Sequence, residues 1–280
     1  MEIQWPLVLF SLLAGTGGAL AAFVGLAGLL GGTRKVRETA ALCSIVLVVL
    51  GGCVSVLHLA SPLHAISAVT NLLSFSGVSI ELMLVGINFV VMAAWLILAR
   101  REGSEAGLKL VGVVGIVAGL ALGFFCGHGY VIEGQPTWNT NVLPLAYLGS
   151  SLACGAFLYG VLAAKFGDDG ELGGKLGVFT FVCAVIGAVS AVAYAAVLGG
   201  SAFSQPLVMW GGVVVFGVVG AIASGVLAMR LKQERLLAVN VCGLVCAAIG
   251  GLSIRMLMWL CATGFIDLFA HTVPSVMLNL

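Results

Sequence analysis

Charge is scarce in this sequence: 8% of its 280 residues are Asp, Glu, Lys or Arg, while 61% are hydrophobic. Soluble domains carry about a quarter charged residues, so that class is excluded. The eight cysteines form no CxxC pair, which leaves the chain without an iron–sulfur ligand set of its own. Cys242 and Cys246 stand four apart on one helix face and, with no second ligand pair, read as small apolar packing residues. Asp168, Asp169 and Glu171 lack the remaining positions of a calcium loop and read as a solvated turn. No internal repeat is evident, and the apolar stretches have no paired central prolines. Interrupted helices of that kind mark the solute sites of many transporters. No nucleic-acid partner is expected.

What is present is apolar length. Eight stretches are long enough to cross hydrocarbon as helices, over residues 6–31, 41–63, 77–99, 108–128, 142–165, 175–199, 206–230 and 236–263. The expected fold is an all-α integral membrane protein, a single polytopic domain over 1–280 with eight transmembrane helices in two groups of four. The first run opens with Met1 and Glu2 and has no positive n-region, so it is expected to remain as a span and not to be a signal peptide. Eleven of the twelve Lys and Arg residues lie in four clusters: Arg34, Lys35, Arg37; Arg100, Arg101, Lys109; Lys165, Lys175; and Arg230, Lys232, Arg235. The clusters fall in alternate gaps, and the other gaps and both ends carry none. Cationic loops stay on the cytoplasmic side, which predicts a multi-pass protein of the cytoplasmic membrane with both termini outside. Only Arg255 lies inside an apolar run.

The inner loops, 32–40, 100–107, 166–174 and 231–235, are short and polar. Two outer loops are longer. Residues 64–76 place Ile66, Val69 and Leu73 at helical spacing, which predicts a short helix in the interface. Residues 129–141 contain Tyr130 and Trp138, read as interfacial anchors, with a docking surface as the alternative. Forty glycines suit close helix approach in lipid, and Ala14, Gly18 and Ala22 form a small-residue ridge on the first helix.

Four ionisable residues share one depth. His58, Glu81, His128 and Arg255 each stand 18 to 20 residues from the inner end of their stretch, counted from Ala40, Arg100, Lys109 and Arg235. At 1.5 Å per residue that is roughly 27–30 Å, the outer margin of the hydrocarbon core. Ionisable groups in a bilayer usually face the bundle interior or a wet cavity and mark a substrate or proton path. Near helix ends they also snorkel to water, and Gly127 and Gly129 beside His128 suggest that its helix is ending. No histidine lies in the inner half, which excludes a two-haem path across the bilayer and leaves one haem near the outside as an alternative.

Several segments resemble the membrane anchor subunit of dimethyl sulfoxide reductase, DmsC-like, of the molybdopterin oxidoreductase complexes. The opening Trp5-Pro6-Leu7 looks like that family's start. Leu57-His58-Leu59-Ala60-Ser61-Pro62 is similar to its L-H-L-G-S-P segment, with Ala60 in place of Gly. Ser76-x-x-Ser79-x-Glu81 resembles its S-x-x-S-x-E segment, and Pro136-Thr137-Trp138, followed by Pro144, its P-T-W loop. Gly250 to Arg255 resembles a G-E-L-x-G-R segment, except that Gly251 replaces the acid and Ile254 the second Gly.

The resemblance implies a subunit of anaerobic respiration that oxidises menaquinol and anchors an iron–sulfur subunit and a molybdopterin catalytic subunit on the outer face. Menaquinol is then its substrate, and the chain itself binds no haem, iron–sulfur cluster or molybdenum. His58 and Glu81 correspond to the family's residues implicated in quinol oxidation, in agreement with the depth count. Quinol oxidation releases two electrons and two protons, so the site needs a proton acceptor at the quinol hydroxyl and an exit to water. His58 is expected to take or orient the hydroxyl proton, Glu81 to relay it outward, and Arg255 either to polarise a quinone oxygen or to hold Glu81 ionised. Two other readings stand beside this one: a proton-coupled small-solute transporter, and a purely structural anchor.

Overall fold

The computed structural model describes residues 2–57, 72–101, 103–167, 171–231 and 233–262. Backbone polar groups cannot be left unpaired in hydrocarbon, and helices meet that demand within each segment. Eight long helices do so here: α1 Trp5–Leu29, α2 Arg34–Val56, α3 Gly77–Arg100, α4 Glu105–His128, α5 Val142–Phe166, α6 Glu171–Leu198, α7 Leu207–Arg230 and α8 Gln233–Leu260. All are long and apolar enough to cross a membrane, and the described residues contain no strand.

The helices close into two rings of four. α1 packs on α2 and α4, and α3 completes the first ring between α2 and α4; α5 to α8 close the second in the same cyclic order. The rings meet where α1 and α4 lie against α5. α1 and α5 are therefore the most buried of the spans. The small-residue ridge explains how closely α1 approaches its neighbours. Gly18 faces Gly119 of α4, and Gly25 faces Gly112 further along the antiparallel pair. A Cβ at Gly18 would lie 2.7 Å from the Gly119 carbonyl oxygen, and one at Gly112 3.1 Å from the Gly25 Cα. Ala14, the first member of the ridge, packs against Gly51 of α2.

Helix succession gathers the Lys and Arg clusters at one end of the bundle, the basic end. The opposite end holds the described N-terminus, the end of α8 and a cluster of aromatic rings, and is called the aromatic end. Several helices begin earlier than hydropathy suggests. α2 starts at Arg34, within the expected 32–40 loop, because the Arg34 Nε donates to Glu38 Oε1 at 2.9 Å across one turn. Arg37 of that turn is buried, with its guanidinium carbon 5.7 Å from the Trp95 ring centroid. α4 starts at Glu105 beneath Ser104, whose hydroxyl accepts from the Gly107 N–H at 3.2 Å. At the far end α2 is described to Val56, and residues 58–63 of the expected stretch lie outside the described residues. The expected interfacial helix over 64–76 lies mostly outside them as well, and Leu72–Ser74 forms a 3-10 turn.

One winding was not foreseen. Leu207–Gly220, the first part of α7, is a π-helix, whereas π geometry ordinarily occurs as single-turn bulges. Its glycines let these wider turns lie on α8: a Cβ at Gly217 would sit 2.9 Å from the Gly250 Cα.

The glycine contacts yield a direct test. Gly18→Val is expected to lower the stability of the detergent-solubilised protein by about 1–3 kcal/mol, the usual cost of overpacking. Gly174→Ala, where a Cβ meets nothing within 4 Å, should stay within about 0.5 kcal/mol. Thermal unfolding followed by circular dichroism measures both.

Candidate functional site at the aromatic end

The serines of the Ser76-x-x-Ser79-x-Glu81 segment build the start of α3. Ser76 is the N-cap, and its hydroxyl accepts from the Ser79 N–H at 3.3 Å. The Ser79 hydroxyl donates back to the Ser76 carbonyl at 2.9 Å, and Ser74 Oγ lies 3.3 Å from both hydroxyls. Phe75 turns the chain into the cap with a left-handed φ of 50°. These bonds satisfy first-turn donors and fix the register of the helix. That register brings Glu81 against the end of α4. A Cβ at Gly77 would lie 3.2 Å from the Gly129 Cα, and a Cβ at Gly129 would lie 2.6 Å from Glu81 Oε1. Only glycine at 129 leaves the carboxylate its place. Glu81 is half-buried and has neither hydrogen bond nor ion pair among the described residues.

Arg255 is completely buried on α8. Its Nε donates to Ser11 Oγ at 2.9 Å, its Nη1 to Ser150 Oγ at 3.0 Å and to the Gly251 carbonyl at 2.9 Å, and its Nη2 to the Ser11 carbonyl at 3.2 Å. The guanidinium carbon stands 4.2 Å from the Tyr147 ring centroid, a cation–π geometry. Four of the five guanidinium N–H groups are thus engaged by neutral partners. No ion pair joins Arg255 to Glu81, and among the described residues no carboxylate pairs with it. At Tyr130, in the loop after α4, burial pushes the phenol pKa well above its ordinary value. Tyr147, Glu81 and Cys126 push the same way and Arg255 opposes them, so this hydroxyl remains a proton donor at neutral pH.

The 129–141 loop does not hold Trp138 as an interfacial anchor. Trp138 is buried, and its indole Nε1 donates to the Met258 carbonyl near the end of α8 at 2.7 Å. Its ring meets Trp259 edge to face at 5.0 Å between centroids, and Tyr130 contacts both rings edge-on at 5.8 and 6.0 Å. Tyr194 of α6 donates to the Thr137 carbonyl at 3.1 Å. The Pro136-Thr137-Trp138 segment therefore plugs the second ring. The anchor reading fails because a tryptophan at an α-helix C-terminus can spend its N–H on a carbonyl the helix leaves free.

Of the residues singled out in the sequence, Glu81 and Arg255 stand at this end, and Tyr147, under the Arg255 guanidinium, meets Tyr130 at 6.0 Å between ring centroids. His58, His64 and His271 lie outside the described residues. His128 ends α4, exposed, and contacts only the rings of Phe124 and Phe125 on its own helix among the ring contacts found. Ser11, Ser150, Tyr147 and Gly129 were not anticipated. Serines within apolar runs at the depth of Arg255 were the available signal.

Arg255→Ala is expected to destabilise the solubilised protein by about 2–5 kcal/mol, through a cavity and stranded serine hydroxyls. Arg255→Met, which fills the space, should lose less. Thermal melts of the two variants in one detergent check the order.

Comparison with known proteins agrees with these features. No curated protein matches the chain. The family model described as DMSO reductase anchor subunit (DmsC) matches residues 1–205, a span that includes the capped Glu81 segment and the Trp138 plug. The match covers most of the chain, which therefore belongs to the DMSO reductase anchor subunit family.

Proposed function

We propose that this protein oxidises a membrane quinol, menaquinol, near the outer face of the cytoplasmic membrane and delivers the electrons to an iron–sulfur partner docked there. Family membership makes the chain the membrane anchor subunit of a DMSO reductase-type complex, associated with its catalytic and iron–sulfur subunits. The observation that carries the finer reading is the Glu81 carboxylate. It stands on a membrane span, half-buried and unpaired among the described residues, at the end away from the cationic clusters. A carboxylate in that setting is costly unless it exchanges protons or meets a polar ligand.

The chemistry balances with this chain's own groups and one partner. The quinol loses two protons and two electrons and becomes the quinone. His58 takes or orients one hydroxyl proton, Glu81 accepts and relays protons to the outer water, and the electrons leave to the iron–sulfur subunit. Arg255 binds the headgroup less directly, as a fixed positive charge in the wall that favours the partly negative quinone oxygens. Positive clusters at the opposite end support an outward-facing site and both termini outside. The exposed Ile132, Glu133 and Pro136 of the 129–141 loop offer part of the docking surface. Reduction of the terminal acceptor belongs to the catalytic partner.

Membranes carrying the whole complex test the assignment, with a reduced menaquinol analogue as donor. His58→Ala and Glu81→Gln should each lower quinol-driven acceptor reduction about 10²-fold, the scale of a lost general base. A viologen dye that reduces the partner subunits directly should still support the parental rate, which shows that the complex assembles. Parental quinol oxidation in both variants would leave the chain a structural anchor.

A further inference from the structure

Gly129 follows the last residue of α4 and keeps a right-handed helical backbone, with φ −57° and ψ −19°. Any L-residue adopts that conformation, so the freedom that makes glycine useful in turns is not being used here. Its N–H donates to the Phe125 carbonyl at 3.1 Å, which adds one more bond to the last turn of α4. Nothing in the backbone calls for glycine, and by helix propensity alone alanine would suit the position better.

The demand comes from outside α4. A Cβ at 129 would lie 2.6 Å from Glu81 Oε1 and 3.4 Å from Glu81 Cδ, and its next neighbour is the Phe125 carbonyl oxygen at an ordinary 3.8 Å. Among the described atoms, a methyl group there collides with one carboxylate oxygen and with nothing else. The oxygen would have to retreat by about 0.8 Å to reach an ordinary contact of 3.4 Å. Helix α3 is not free to carry it away as a body. Gly77 and Glu81 stand four apart on one face, and a Cβ at Gly77 would lie 3.2 Å from the Gly129 Cα. The Ser76 cap and the packing of α3 along α4 hold the backbone of that turn. The Glu81 side chain, with its rotatable bonds, is the part that yields.

We infer that Gly129 is a positioning residue for proton transfer: the space left by its missing Cβ is the seat of the Glu81 carboxylate, and that seat sets the distance from the carboxylate to the quinol hydroxyl. The inference rests on the quinol reading above and adds to it a residue that acts through Glu81. A general base must lie within hydrogen-bond reach of the proton it takes. Misplacing a reacting group by about 1 Å costs roughly 10²-fold in rate, and the retreat that a methyl group at 129 imposes is of that size. A side chain at 129 therefore removes the proton acceptor from its place while leaving the acid in the protein.

Membranes carrying the whole complex test this, with the reduced menaquinol analogue as donor. Gly129→Ala should lower kcat for quinol-driven acceptor reduction about tenfold or more, with the viologen-driven rate unchanged. A size exchange then separates positioning from packing. Aspartate is shorter than glutamate by one CH2 and withdraws its carboxylate from position 129. Glu81→Asp should lower the quinol-driven rate when introduced alone, and raise it by about threefold or more when introduced together with Gly129→Ala, as expected for two residues in contact. A glycine that merely let α3 pack on α4 would show no such reversal. A parental quinol-driven rate in Gly129→Ala overturns the inference, and so does a lowered rate that Glu81→Asp fails to raise. Loss of the viologen-driven rate in Gly129→Ala overturns it as well, by making Gly129 an assembly residue. In all three cases the quinol reading survives as long as Glu81→Gln is impaired. A parental rate in Glu81→Gln instead defeats that reading, and this inference with it.

Discussion

Arg255 reaches from α8 to Ser11 of α1 and Ser150 of α5, and lays its guanidinium on the Tyr147 ring, so one side chain spans the seam between the two helical rings. Burying a cation in a medium of low dielectric is expensive, and it persists only where its N–H groups are met. Here hydroxyls and carbonyls meet them, and among the described residues no carboxylate pairs with the charge. The rest of the aromatic end is arranged around that condition. Tyr147 is held with its hydroxyl toward Met258 at 3.2 Å, Met258 offers its carbonyl to Trp138, and Trp138 fixes the loop that leads from α4 to α5.

The same absence of a counter-ion bears on the acid across the site. Had Arg255 been paired with Glu81, the carboxylate would be a structural half of a salt bridge. Arg255 instead keeps neutral partners, and the Glu81 carboxylate, seated against Gly129, has no hydrogen bond or ion pair among the described residues. Family membership accounts for an anchor in a reductase complex; the freedom of this carboxylate is what suggests that the anchor also handles protons.

Much of the architecture could be read from the sequence because the membrane imposes it. Long apolar runs and alternating cationic gaps marked the spans, and the Ala14, Gly18, Ala22 ridge pointed to real close contacts. Helix starts were misjudged where polar residues form a regular turn, as Arg34 and Glu38 do, since hydropathy registers solvation and not hydrogen bonding. Arg255 and Glu81 stood out because ionisable groups are rare in such runs. Their surroundings did not: Ser11, Ser150 and Gly129 are ordinary residues whose roles arise only when helices distant in sequence come together. Trp138 was misread for a related reason, because a loop tryptophan looks the same in sequence whether its indole meets lipid or the end of another helix. The π winding of Leu207–Gly220 left no trace in an unbroken apolar run.

Among the described residues the 129–141 segment is the one covalent crossing between the rings, and it is pinned midway by the Trp138 indole and the Tyr194 hydroxyl. A crossing pinned in that way behaves as a rivet and not as a hinge. Mechanical force applied to this loop from outside the membrane would pass as local strain into the last turn of α8, a few residues beyond Arg255, while the halves themselves stay in fixed register.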